Sequence, residues 1–243
     1  MRAALICAAL ALPAAAQEAP EVEAFMEGNV LSIFYHELGH ALIDVEDVPI
    51  FGQEEDAADV FAVIMAETIW NAGTALELAY DFALLFDVDA RARAEAGDAP
   101  AWWDVHGPDE QRFYNTVCLF YGADPAGRAD YAADMDLPAD RAESCPEEFD
   151  QALAAWGDVL DTVTDRGPGR TIALTRADEG QIGTILTEEV AALNDMLQLS
   201  QSLAVRVEPC GEANAFYDPA EIAVIFCTEY EAELVASGRD VHR

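Results

Sequence analysis

The stretch "FYHELGHALIDV", Phe34 to Val45, carries two histidines four residues apart, His36 and His40. On a helix they lie one turn apart on one face, so both imidazoles can reach a single ion. Glu37 points to the side of that face. It is close enough to hold a water on the metal without filling a coordination place. This HExxH spacing suits hydrolysis. A zinc ion brings the pKa of its water near neutrality and polarises a carbonyl, and the glutamate takes the proton. The bland alternative is a helix that happens to carry two histidines, because two ligands do not make a site.

A third ligand decides between them. After a turn at "VPIFGQ" comes "EEDAADVFAVIMAE". Past Asp56 this run is apolar as far as Ala66, except for Asp59, and reads as a buried helix with an acidic N-terminus. Glu55 and Asp59 fall one turn apart on one face. A carboxylate inside such a run is costly unless paired. With Glu55 on the zinc, Asp59 can accept the N–H of a ligand histidine and fix its tautomer. The preference of acidic residues for a helix N-terminus accounts for Glu54, Glu55 and Asp56. It accounts poorly for Asp59.

These residues need a scaffold. Val30, Phe34, Leu38, Ala41 and Val45 form an apolar stripe at helical spacing around the histidines. "ETIWNAGTALELAYDFALLFDVDARARAEA" predicts one or two amphipathic helices, with a break near Asn71-Ala72-Gly73. His106 precedes Gly107-Pro108-Asp109, a turn into a helix carrying Arg112, Phe113 and Tyr114. "AESCPEEFDQALAAWGDVLDTV" and "ADEGQIGTILTEEVAALNDMLQLSQ" predict two further helices. β structure is expected only near the end, where Leu203 to Glu208 alternates and Glu221 to Cys227 is apolar and β-branched. The expected class is a mostly helical α+β protein. Its expected parts are a helical portion over 17–165, a linker over 166–175 for its Gly and Pro, and a C-terminal helix and β-hairpin over 176–243.

Length and charge narrow the function classes. The chain has 243 residues, 52% hydrophobic, enough for one sizeable core. Asp and Glu number 47, and the 12 basic residues are all arginine, giving a net charge of -35. Such a surface repels nucleic acid and anionic lipid, so neither is expected as a partner. "MRAALICAALALPAAAQ" has one cation, a short apolar stretch and small residues up to Ala16. It predicts a secretory signal over residues 1–16, cleaved before Gln17, and an exported protein, periplasmic or extracellular. The stretch is too short to span a membrane. Once Cys7 is removed with the signal, Cys118, Cys145, Cys210 and Cys227 remain, an even number that suits disulfides outside the cytoplasm. Four cysteines allow three connectivities. Local closure favours Cys118 with Cys145 and Cys210 with Cys227.

"HELGH" followed by "EDAAD" resembles the gluzincin metallopeptidases, the class that includes thermolysin. There the third ligand is a Glu, and an Asp one turn on supports a histidine. More closely, "FYHELGHALIDV…GQEEDAADVFA", "HGPDEQRFYNTVCLFYG" and "CGEANAFYDP…CTEY" are similar to a bacterial metallopeptidase family still labelled a domain of unknown function. The resemblance covers most of the chain after the signal. It implies a zinc endopeptidase with His36, His40 and Glu55 on the metal, Glu37 as base, and a peptide or protein substrate of unspecified sequence. In thermolysin-like enzymes a downstream histidine stabilises the oxyanion. His106 matches it in chain order, and Tyr217 is the alternative. "NAFY", Asn214 to Tyr217, resembles the edge-strand segment that holds the substrate backbone there, which makes Asn214 and Ala215 expected substrate contacts. The chain departs from the class in one respect. Too few residues precede the HExxH helix to form the usual sheet. The resemblance then implies a circular permutation, with an unrelated hairpin as the other account. A non-catalytic metal- or protein-binding module on the same scaffold is the remaining class, and a pure binder has no need of Glu37.

Overall fold

The computed structural model describes residues 18–177 and 180–243. The expected signal segment therefore lies outside the described residues. The helix that carries the motif, α1, runs from Pro20 to Val45 and starts on its proline, whose fixed φ suits the first helical position. Apolar residues surround most of its circumference, so it sits in the middle of the molecule. Helix α2 spans Glu54–Ile69 and packs along it. Their close approach depends on Gly39. A Cβ there would lie 3.1 Å from the Ala58 backbone and 3.1 Å from the Phe61 ring. The glycine inside "HELGH" thus lets α2 lie flush and brings its acidic first turn to the histidines.

Helix α3 spans Ala72–Ala96, capped by Asn71, whose side chain accepts the amides of Gly73 and Thr74. It ends at Gly97 in the left-handed region, with φ 78°. A loop carrying His106 leads into α4, Asp109–Ala123. Two short helices follow, α5 over Ala129–Asp134 and α6 over Ala139–Ala142, and then the long α7, Cys145–Asp165. The first disulfide, Cys118–Cys145, ties α4 to the start of α7.

The sheet contains β1 (Ile172–Arg176), β2 (Leu203–Glu208), β3 (Ala215–Asp218) and β4 (Ala223–Cys227), in the order β1-β2-β4-β3. Helix α8, Gln181–Met196, links β1 to β2, and α9, Tyr230–Val241, follows β4 and packs on α1. β1 and β4 both run parallel to β2, while β3 pairs antiparallel with β4. β4 is buried throughout, as a central strand covered on both faces should be. The second disulfide, Cys210–Cys227, closes the β2–β4 segment. The architecture is the expected mostly helical α+β class.

One boundary differs. The stretch 166–175, expected as a linker, runs into β1. Only Ile172 of that strand is buried, so no apolar alternation marks it. Tertiary partners hold it instead. Asn194 of α8 receives the Ile172 N–H and donates to its carbonyl, and the Leu203 amide bonds the Thr171 carbonyl. Among the described residues, no helix is long and apolar enough to cross a membrane.

Candidate metal centre

Three side-chain atoms converge where α1 faces the first turn of α2. The Nε2 atoms of His36 and His40 lie 3.2 Å apart, and the Glu55 Oε2 is 3.2 Å from each. Hydrogen bonds between neutral imidazoles and Glu55 cannot account for this triangle. The Nδ1 of His36 lies 2.8 Å from Asp59 Oδ1, and the Nδ1 of His40 lies 2.8 Å from Glu54 Oε1. Each Nδ1 therefore carries the proton and donates it to a carboxylate. In the neutral imidazoles both Nε2 atoms are then bare lone pairs. Two lone pairs and an anionic oxygen at such spacing demand positive charge between them.

A proton or a metal ion can supply that charge. Burial alone would lower the pKa of His36, but the hydrogen bonds to Asp59 and Glu55 outweigh it and push the pKa up to about 9. His40 is raised in the same way, burial again being overcome by Glu55 and Glu54. Burial would raise Glu55, yet its bonds to His106, His36 and His40 hold it far below the usual carboxylate range. A metal ion fits the same place. Tetrahedral zinc with bonds of about 2.0–2.1 Å separates its ligand atoms by roughly 3.3–3.4 Å, close to the observed spacing, and the donor set of two imidazoles and a carboxylate suits it.

Glu37 sits beside this triangle and is buried. Burial raises its pKa and Glu55 pushes further the same way, while His36, His40 and the Tyr217 backbone amide oppose. A carboxylate held above its ordinary range is a better base near neutrality. Asp59 is anchored on its far side by Arg112, whose Nε and Nη2 donate to its two oxygens at 2.8 Å each. Burial would raise Asp59, but Arg112 and His36 hold it low. The Arg112 guanidinium in turn stacks 4.3 Å from the Phe86 ring centroid.

Beside the triangle runs a cleft of about 710 Å³. Glu37 and His40 line one part of it, and His106, Asn214, Ala215 and Tyr217 line another. The two ends of the chain thus meet here, as β3 lies against α1. His106 does not stand off across the cleft. Its Nε2 is 2.9 Å from Glu55 Oε2, so His36, Glu55 and His106 form a cluster of potential ligand atoms. The Tyr217 hydroxyl donates to Asp44 Oδ2 at 2.6 Å. Asn214 is exposed, and its side-chain oxygen accepts the Ala215 amide.

Sequence reasoning missed two members of this arrangement. Glu54, assigned only to the helix terminus, orients His40. Nothing marked it among 47 acidic residues. Arg112 carried a usable signal, being one of only 12 cations and standing six residues after His106.

Fold and site together define an α+β protein with a candidate metal site on an HExxH helix, at the meeting of two helices and a sheet edge. The chain belongs to the DUF4344 family, described as "Putative metallopeptidase", and the match covers residues 7–160 and 180–240. No curated protein and no solved structure matches it.

Proposed function

We propose that the chain is an exported, zinc-dependent endopeptidase. The observation that carries this reading is the triangle of His36, His40 and Glu55 with a buried Glu37 next to it on the same helix, all bordering an open cleft. Zinc, when bound, supplies a Lewis acid that polarises the scissile carbonyl and acidifies a water. His36, His40 and Glu55 would hold it, and Asp59 and Glu54 would fix both histidines with their Nε2 atoms free. Glu37 takes the proton from the attacking water and returns it to the leaving nitrogen.

The edge strand suits substrate binding. The Cys227 amide bonds the Asn214 carbonyl. Antiparallel ladders alternate, so the next residue, Ala215, turns its carbonyl toward the unpaired edge, beside Glu37. A substrate running antiparallel there would gain main-chain partners, with the Asn214 side chain at the same edge. His106, whose Nε2 lies against Glu55, would stabilise the developing oxyanion, while the Tyr217 hydroxyl is engaged by Asp44.

The test is one substitution with two readouts. Glu37→Gln should keep one zinc per chain and lose turnover by roughly 10²–10⁴-fold, since it removes only the base. Normal cleavage by that variant would sink the mechanism. Export predicts a mature N-terminus at Gln17, read by N-terminal sequencing of the secreted chain.

A further inference from the structure

A second cavity, of about 190 Å³, joins the cleft at the zinc centre, for His36, Glu37 and Ala215 line both. An apolar cavity of about 150 Å³ holds a benzene ring, so this one has room for one extended side chain. Its apolar walls are Val63 from α2 and Phe82, Leu85 and Phe86 from α3. Its charged and phenolic wall is formed by Asp59, Asp89, Arg112 and Tyr230.

These groups differ in what already satisfies them. Asp59 is bonded by His36 and doubly by Arg112, which neutralises both members of that pair. Asp89 has no such partner. Solvent reaches it, yet protein crowds it. Burial, Asp109 and Glu233 together push its pKa up to about 6, with Arg112 alone opposing them, and no hydrogen bond acts on it among the described residues. It is therefore ionised at neutral pH, and among the described residues no cation forms a salt bridge with it, Arg112 being paired with Asp59. Burial first, then Asp89 and Glu233, raise the Tyr230 phenol, Arg112 opposes and Glu37 adds a smaller push, so the acid and the base share one neighbourhood.

We propose that this cavity is a specificity pocket for a basic side chain adjoining the scissile bond, its stem lying along Phe82, Leu85 and Phe86 and its charge meeting Asp89. Lysine and arginine are built for such a site, with an apolar stem and a charged head. The inference rests on the peptidase reading above and names the substrate class that reading leaves open.

The experiment compares peptides differing in a single residue, varied in turn on each side of the scissile bond. Arginine is set against its uncharged isostere citrulline, and lysine against norleucine. For the zinc-loaded chain, kcat/KM should favour the charged member by roughly 10–100-fold at one of the two positions. Asp89→Asn should collapse that ratio toward one, and Asp89→Arg should shift preference to glutamate. A merely structural role for Asp89 would lower both members of a pair alike and leave their ratio standing, which would overturn the proposal. So would a wild-type preference for the neutral or acidic member. Binding of the same peptides to zinc-loaded Glu37→Gln, with and without Asp89→Asn, separates the two readings. Charge-selective binding that needs Asp89, beside a zinc-loaded wild-type chain that cleaves none of these peptides, would fail the peptidase reading and keep the pocket. Binding without charge preference would fail the pocket.

Discussion

Each histidine at the centre is held by a different carboxylate, and the two carboxylates are not equivalent. Asp59 is itself locked by two bonds from Arg112. Glu54 is nearly half exposed and, among the described residues, is bonded by His40 alone. A partner fixed by a third group orients its histidine more firmly. Asp59→Asn should therefore weaken zinc affinity by about 10–100-fold, and Glu54→Gln by less, measured by competition with a chelator. Equal effects would mean that Arg112 adds nothing to the orientation of His36. His106 needs a separate test, because its Nε2 is as near to Glu55 as a ligand would be. His106→Ala should keep zinc stoichiometry and lose turnover by roughly 10²–10³-fold, as removal of an oxyanion donor does. Loss of zinc in that variant would make His106 a ligand.

At the scale of elements, the site depends on how closely α2 approaches α1. Gly39→Ala adds one carbon against the Ala58 backbone and the Phe61 ring. Backbone cannot step aside as a side-chain tip can, so α2 must shift and carry Glu55 with it. The expected cost is about 1–3 kcal/mol of stability, with weaker zinc binding, read by thermal melting and metal titration. This also explains which parts were legible in the sequence. His36 and His40 announce themselves by spacing. Asp59 does so because a lone charge in an apolar run needs a reason. Gly39 and Glu54 act only through a neighbouring helix, and no local pattern encodes that contact. β1 was hidden for the same reason, since its stability comes from Asn194 and Thr171 and not from alternation of its own residues. β3 was placed beside the histidines through a resemblance, because nothing local in "NAFY" points to α1.

For the whole molecule, the balance of charge sets the conditions of stability. With a net charge of -35, the folded chain repels itself, and buried acids concentrate the effect. Asp81 of α3 is the clearest case. It lies against α1 at Gly28, where a Cβ would come 2.2 Å from its Oδ2. Burial first, then Glu77 and Glu27, push its pKa up to about 7. An acid with a raised folded pKa binds more protons folded than unfolded, so stability falls as pH rises from its unfolded value, about 3.9, through its folded one. The chain should accordingly melt higher at pH 6 than at pH 8. Loss of the proposed zinc would complicate any simple scan, because protonated histidines release metal. The informative quantity is the difference between Asp81→Asn and the parent chain, with zinc saturating. At pH 8 the asparagine variant should be the more stable by roughly 1–2 kcal/mol, a figure discounted for partial solvent contact. The gap should close as pH falls below 7, because the parent aspartate then becomes neutral too. Added salt should narrow the gap at pH 8 only slightly, since screening reaches buried groups weakly, while raising the melting temperature of both chains through the surface charges. A gap independent of pH would mean that Asp81 acts by packing and not by charge.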